Sequence, residues 1–120
     1  MKFVSCSDDN TAKIFDFATA KEEFSFTEHK NNVQSCEWHP TMSLVITGSK
    51  DQTVKIWDPR SGGKGWNEIA ASHNMISCVR WNPINGNWFL TGSKDCHIKV
   101  YDLRKPSYEI NVYACKEDPV

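Results

Sequence analysis

An all-β protein, built from one four-stranded sheet repeated along the chain, is what this sequence predicts. The first observation is a ten-residue string that occurs three times, as SDDNTAKIFD (7–16), SKDQTVKIWD (49–58) and SKDCHIKVYD (93–102). The second is its period, because the closing aspartates Asp16, Asp58 and Asp102 stand 42 and then 44 residues apart. The third is a further pair of matching blocks upstream of the last two strings. NVQSCEWHP (32–40) matches MISCVRWNP (75–83), and LVITGSKD (44–51) matches WFLTGSKD (88–95). Self-similarity at one fixed spacing means one supersecondary unit stacked on copies of itself.

Each unit reads as strands. In the first, the spans are 3–7, 11–16 and 22–27, and Lys21-Glu22-Glu23 runs into Phe24 and Phe26 with a period of two. In the second, 33–38, 44–49, 53–58 and 66–71 are rich in β-branched and aromatic residues, such as Val45-Ile46-Thr47 and Val54-Lys55-Ile56-Trp57. Turn-forming stretches, Ser49-Lys50-Asp51-Gln52 and then Asp58 to Gly63, punctuate them. In the third, 76–81, 88–93, 97–102 and 108–114 repeat the pattern. A period of ~40–45 residues closing on Trp-Asp is the signature of a WD40 β-propeller blade. Trp57-Asp58 keeps that dipeptide, while Phe15-Asp16 and Tyr101-Asp102 soften it. The usual Gly-His is Glu28-His29 and Ser72-His73.

The expected fold is therefore a WD40 β-propeller fragment, about two and three-quarter blades of a seven-bladed ring that needs roughly 300 residues. Residues 1–27 form a partial first blade of three strands, 28–71 the second, 72–114 the third, and 115–120 the truncated start of another. Such a piece exposes blade faces that a full ring covers, so on its own it is expected to associate.

WD40 blades resemble one another in a side-chain hydrogen-bond chain, and that resemblance assigns residues here. A His in the loop leading into the blade meets the Asp of the turn between the second and third strands. A Ser or Thr on the second strand and the Trp indole on the third complete the set. The second blade offers His29, Asp51, Trp57 and either Thr47 or Ser49, which lie on one face of a strand and so stay undecided. The third offers His73, Asp95, Tyr101 and Thr91 or Ser93, while the first offers Asp9, Ser5 or Ser7, and a Phe15 that donates nothing. A Ser, a His and an Asp together also suggest a nucleophilic triad. The set recurs at repeat spacing, however, and the chain has no G-x-S-x-G elbow, so the set reads as architecture.

Composition narrows function further. Charged residues are 24% and hydrophobic ones 39%, too apolar for disorder. The net charge of -1 gives no general pull toward polyanions, so contact with nucleic acid or an acidic surface must be local. No apolar run approaches the ~20 residues of a membrane helix, and the start MKFVSCSDDN has no apolar leader core. Five cysteines, with no C-x-x-C pair among them, argue against a disulfide framework or a zinc site. Cys36 and Cys78 read as small core residues, and His39, beside Pro40 in a turn, reads as a solvated imidazole. Gly62-Gly63-Lys64-Gly65 lacks the frame of a phosphate loop and reads as a flexible bend. No cofactor, metal or enzymatic activity is expected.

Beyond the repeat, longer strings are particular. EWHPTMSLVITGSKD (37–51) with WDPRSG after it, NPINGNWFLTGSKD (82–95) with KVYDLR (99–104), and SCSDDNTAKIFDF (5–17) resemble the WD-repeat subunits of the cleavage and polyadenylation specificity factor. The resemblance runs to about Ala114. It departs at Phe15, Glu28, the glycine bend at 62–65 and the lost Gly-His near Cys115. It implies a nuclear, non-catalytic scaffold and recognition subunit in pre-mRNA 3′-end formation. The implied partners are the other subunits of that complex, pre-mRNA through the complete protein, and the remaining blades of the same ring. The alternative is a WD40 adaptor in a ubiquitin ligase or signalling complex. On one rim of the ring Lys30, Lys50, Asn74 and Lys94 are candidates to face a partner, and Arg60, Lys64, Arg104 and Lys105 fall on the opposite rim.

Overall fold

The computed structural model describes residues 2–59, 65–69, 74–105 and 109–114. These form eleven strands: β1 Lys2–Cys6, β2 Ala12–Asp16, β3 Lys21–Phe26, β4 Val33–Trp38, β5 Val45–Ser49, β6 Val54–Trp57, β7 Gly65–Ile69, β8 Ile76–Trp81, β9 Trp88–Ser93, β10 His97–Asp102 and β11 Glu109–Ala114. Each lies within two residues of its expected span. They build three antiparallel meanders, β1-β2-β3, β4-β5-β6-β7 and β8-β9-β10-β11. The first sheet lacks, among the described residues, a counterpart of β4 and β8.

Backbone irregularities repeat as faithfully as the side chains. Pairing between the third and fourth strands of a unit slips by one residue at Ile14/Phe15, at Ile56/Trp57 and at Val100/Tyr101. Pairing between the first and second strands slips at Val33/Ser35 and at Ile76/Cys78. Bulges of this kind increase the local twist and re-aim side chains. The turns repeat too. Asn10, Gln52 and Cys96, each following the turn aspartate, have φ of 70°, 73° and 67°. Asn tolerates that left-handed conformation better than Gln or Cys.

The three sheets stack face to face, with the innermost strands β4 and β8 side by side and β1 against β4. Period-two alternation then sends the residues of the middle sheet in two directions. Val45 and Trp57 join Ala12, Ile14 and Phe26 of the first sheet in one buried cluster, with Val4, Cys6, Phe24 and Trp38 at its margin. Leu44, Ile46, Val54 and Ile56 face the other way and join Ile76, Val79, Trp81, Phe89, Tyr101 and Leu103. Every residue of β5 and β6 is consequently buried. This arrangement is three blades of a β-propeller, all-β and without a helix among the described residues.

The outermost faces carry the same pattern without a neighbour among the described residues. Trp88, Leu90 and Val100 occupy the places that Leu44, Ile46 and Ile56 hold on the middle sheet, yet Trp88 and Leu90 are exposed, as are Ile110, Val112 and Tyr113 on β11. An open cavity of about 500 Å³ lies along this face, between Trp88, Leu90, Val100 and Tyr113. On the first sheet Phe3 stacks on Phe15 with centroids 5.2 Å apart, and Phe17 is exposed beside them.

Gly48 shows how close the blades approach. A Cβ there would lie 2.6 Å from Cγ2 of Ile76 and 2.9 Å from Cγ1 of Val79. Gly48→Val is therefore expected to push the second and third blades apart and lower stability by ~1–3 kcal/mol, the usual cost of overpacking a core. Urea unfolding of the variant checks this, and an unchanged midpoint would mean that the two sheets do not pack through Gly48.

Candidate functional site

In the second blade the side chains predicted to form one chain of hydrogen bonds do meet. Trp57, at the end of β6, directs its indole Nε1–H to Thr47 Oγ1 on neighbouring β5, at 2.8 Å. Thr47 Oγ1 lies 2.6 Å from Nε2 of His29, and Nδ1 of His29 lies 2.8 Å from Oδ2 of Asp51 in the β5–β6 turn. A carboxylate only accepts, so Nδ1 carries the imidazole proton. Nε2 then accepts from the Thr47 hydroxyl, which itself accepts from the indole. A neutral imidazole thus gives one uninterrupted direction of donation, Trp57 to Thr47 to His29 to Asp51. Trp57 and Thr47 are fully buried and His29 nearly so. The Trp57 ring also stacks on Phe26 of the first blade at 4.6 Å, so the chain is sealed by the neighbouring sheet.

Thr47 and Ser49 share a face but not a task. Ser49 Oγ donates to the carbonyls of Asn31 and Asn32 at 3.0 and 2.8 Å and accepts from the Asp51 amide at 3.1 Å. It pins the turn to the loop preceding β4, while Thr47 alone bridges His29 and Trp57. Sequence could not separate them, because both spacings satisfy a period of two. Thr53 is an addition that sequence reasoning missed. Its hydroxyl and its amide both donate to Asp51 Oδ1, the amide at 2.9 Å. A Thr two residues after the turn aspartate also occurs as Thr11 after Asp9, and that was the available signal.

Burial alone would raise the Asp51 carboxyl. The donors from Thr53, the Lys30 amide and His29 outweigh it and hold its pKa below the ordinary 3.8. The Lys30 amide contributes at 2.9 Å, tying the loop before β4 to the turn.

The other two copies are variations. In the third blade Thr91, Ser93 and Tyr101 are buried, Ser93 Oγ donates to Asp95, and Asp95 also accepts from the His97 amide at 3.2 Å. Tyr101 stacks on Phe89 with centroids 5.3 Å apart. His73 lies outside the described residues. In the first blade Asp9 is exposed. It accepts from the Thr11 hydroxyl and amide, with the Ser7 hydroxyl accepting from its own amide. Thr11 foremost lowers the Asp9 pKa. Phe15 stands where the indole donor would be, so that site keeps only its turn.

The rim residues fall on one edge. Lys30 and Lys94 are exposed, and Lys50 and Asn74 half-buried. The amides of Lys50 and Lys94 donate to the carbonyls of Asn32 and Met75 at 2.9 and 3.0 Å, so both turns are stitched alike to the loops ahead of β4 and β8. On the opposite edge Arg104 grips Asp102, with Nη2 2.7 Å from Oδ2 and Nε 3.0 Å from Oδ1. This pairing holds the Asp102 pKa at about 2. Arg60 and Lys64 lie outside the described residues.

Two sequence expectations need correction. His39 is not solvated, because it is only 6% exposed. Its Nε2 donates to the Gly86 carbonyl at 2.6 Å, and Nδ1 accepts from the amides of Thr41 and Met42 at 3.1 and 2.9 Å. Its ring meets Trp81 edge-on at 4.5 Å, and a Cβ on Gly86 would lie 2.7 Å from its Cε1. His39 is thus a lock between the second and third blades, and its partner lies 47 residues away, beyond any local reading. Cys36 and Cys78 are half-buried on strands near the ring's centre, not enclosed in the core. Among the described residues no cluster of His, Cys, Asp and Glu could hold a metal ion.

Two measurements test this network. Asp51→Ala strands His29 Nδ1 and the amides of Lys30 and Thr53, and Thr47→Val strands both the indole and the imidazole; each buried group left unpaired costs about 1–3 kcal/mol. Both variants are expected to melt well below Lys50→Ala, which loses only a half-buried rim side chain. Equal melting temperatures for all three would refute the network. The second measurement is pH dependence. The folded Asp51 pKa lies below its unfolded value, so its contribution is complete above about pH 4 and is lost as pH falls through the folded pKa. Denaturant titrations between pH 6 and pH 3 should therefore show a shallower loss of stability for Asp51→Asn than for the parent chain.

Comparison with known proteins agrees with this geometry. The WD domain, G-beta repeat family matches residues 20–58 and 67–102. Polyadenylation factor subunit 2 of Neurospora crassa is 40% identical over 86 residues, 72% of this chain and 13% of that protein. The E3 ubiquitin-protein ligase COP1 of Arabidopsis thaliana is 33% identical over 102 residues, 84% of this chain and 15% of that protein. A ribosome biogenesis protein WDR12 homologue of Anopheles gambiae is 29% identical over 118 residues, 97% of this chain and 27% of that protein. The chain thus spans about a quarter or less of the length of these relatives. With the repeat matched over more than half of its length and three blades in place, the chain belongs to the WD40-repeat family.

Proposed function

We propose that the chain is part of a non-catalytic scaffold and recognition subunit in pre-mRNA 3′-end cleavage and polyadenylation, working in the nucleus. The observation that carries this reading is the 40% identity to a polyadenylation factor subunit across 72% of the chain. The fold supports it in kind. The faces of the middle blade are consumed by packing, and His29, Thr47, Asp51 and Trp57 are consumed by hydrogen bonds to one another. What is left for partners on that blade is its rims. The chain of hydrogen bonds through His29, Thr47, Asp51 and Trp57 serves to hold one of those rims in shape, and Ser93 with Asp95 braces the matching turn of the third blade. Lys30, Lys50, Asn74 and Lys94 form the partner-facing edge. The lysines on these loops suit local contact with the phosphates of pre-mRNA or with an acidic surface on another subunit of the complex.

Two strings behind the resemblance also belong together physically. Trp38-His39-Pro40-Thr41 and Asn85-Gly86-Asn87-Trp88 meet at the His39–Gly86 hydrogen bond. Their joint occurrence thus reflects one interblade lock, not two separate coincidences.

A second reading is a protein-binding adaptor in a ubiquitin ligase complex, favoured by the 33% identity to COP1 over 84% of the chain. Ultraviolet crosslinking of the complete protein in nuclear extract, using RNA with an AAUAAA hexamer and a scrambled control, separates the two. Crosslinking specific to the hexamer, with retained cleavage and polyadenylation activity in the purified complex, is expected. Equal labelling of both RNAs, with ubiquitin ligase activity in the purified complex, would replace the first reading by the second.

A further inference from the structure

Two of the five cysteines sit opposite each other across a blade boundary. Cys6 ends β1 of the first sheet, and Cys36 lies on β4 of the second, the strand that packs against β1. A backbone hydrogen bond from the Val33 amide to the Ser7 carbonyl, 3.2 Å, clamps the two sheets one residue from Cys6. The repeat supplies an internal gauge of the distance. By alignment Cys6 corresponds to Gly48 and Cys36 to Val79, and a Cβ on Gly48 would stand 2.9 Å from Cγ1 of Val79. Where the second boundary pairs a glycine with a valine in tight contact, the first pairs two thiols. Those thiols are close enough that each shifts the titration of the other.

The electrostatics divide the labour. The neighbouring Cys36 thiol foremost lowers the Cys6 pKa, to about 7, and Cys6 together with burial pushes the Cys36 thiol up. Cys6 is half-buried at the margin of its cluster, so a small oxidant reaches it. A thiolate with an adjacent resolving thiol is the arrangement found where cysteine oxidation is reversible.

We propose that Cys6 and Cys36 form a peroxide-sensitive pair that closes into an intrachain disulfide and staples the first blade to the second. In the first step the Cys6 thiolate attacks one oxygen of hydrogen peroxide. The O–O bond breaks, and the departing hydroxide takes up a proton as water. Cys6 is left as a sulfenic acid, oxidised by two electrons. In the second step the Cys36 sulfur attacks the Cys6 sulfur. The S–S bond forms, the S–O bond breaks, and the hydroxyl leaves with the Cys36 proton as a second water. Two thiols and one peroxide thus yield one disulfide and two waters. A small thiol reductant reverses the change. The staple closes a loop across a boundary held by packing and a backbone hydrogen bond, and it therefore restricts the unfolded chain.

The test treats the 120-residue chain with equimolar hydrogen peroxide, alkylates the remaining thiols and digests with trypsin. The expected product is a single chain, not covalently joined to another and lighter by two hydrogens, in which peptide 3–13 is linked to peptide 31–50. Its melting temperature should rise by roughly 10 °C and return on reduction. In Cys36→Val, which copies the residue of the third blade, Cys6 should stop at a sulfenic acid trapped by dimedone. Linkage of Cys6 to any other cysteine, linkage only between chains, full alkylation of Cys6 and Cys36 after peroxide, or a link without a rise in melting temperature would each overturn the proposal.

Discussion

The constraint on which this structure depends is that the middle sheet is covered on both faces. Strands β5 and β6 have no side turned to water, so every polar atom they carry must be answered inside the protein. This burial explains why Thr47, His29, Asp51 and Trp57 form one directed chain. The Trp57 ring contributes apolar area against Phe26, but its indole N–H cannot be left alone there. Thr47 supplies a hydroxyl that accepts from the indole and donates onward. His29 passes the polarity outward, and Asp51 ends it at a turn where backbone amides finish the solvation. The network is the means by which a polar-ended aromatic is tolerated between two blades.

The other two sheets vary this chemistry. In the first sheet the equivalent of Trp57 is Phe15, a ring with nothing to donate. Phe15 stacks on Phe3, and Asp9 nearby is exposed. Its carboxylate accepts from the Thr11 hydroxyl and amide. The third sheet faces the second through Phe89, Thr91 and Tyr101, and there Tyr101 brings a phenol in place of the indole. Phe15, Trp57 and Tyr101 each close the same string at the same bulge, yet the groups around them differ.

Much of the fold was legible because the repeat averages over local ambiguity. A single apolar run such as Val45-Ile46-Thr47 could sit in a strand or a buried helix. Its recurrence as Phe89-Leu90-Thr91, followed each time by Gly-Ser-Lys-Asp, removes the helix. Strand ends and turn aspartates followed directly. What stayed hidden was whatever the repeat does not share or whatever needs three dimensions. Thr47 and Ser49 were inseparable, because a strand's period of two places both on one face. The left-handed residues Gln52 and Cys96 gave no signal, because neither is a glycine or asparagine, and surrounding turn hydrogen bonds force the conformation on them. The bulges at Trp57 and Tyr101 gave none either, since one extra residue in an outer strand leaves the inner string unchanged.

His39 shows most clearly where a one-dimensional reading ends. Beside a proline in a polar stretch it looks like surface, and its burial depends on a glycine in the next blade. Gly86 matters less for backbone freedom than for the missing Cβ that lets its carbonyl approach the imidazole. The same geometry recurs at Gly48, where an absent side chain lets Ile76 and Val79 close the second boundary. Sheets stacked this closely bury their facing strands, and the loops at their ends are left less constrained. Those loops keep some residues and change others: Glu28-His29-Lys30 and Ser72-His73-Asn74 share the histidine, and Asp58-Pro59-Arg60 and Asp102-Leu103-Arg104 share the aspartate and the arginine. In a protein whose interior is committed to holding blades together, the loops are the segments that packing constrains least.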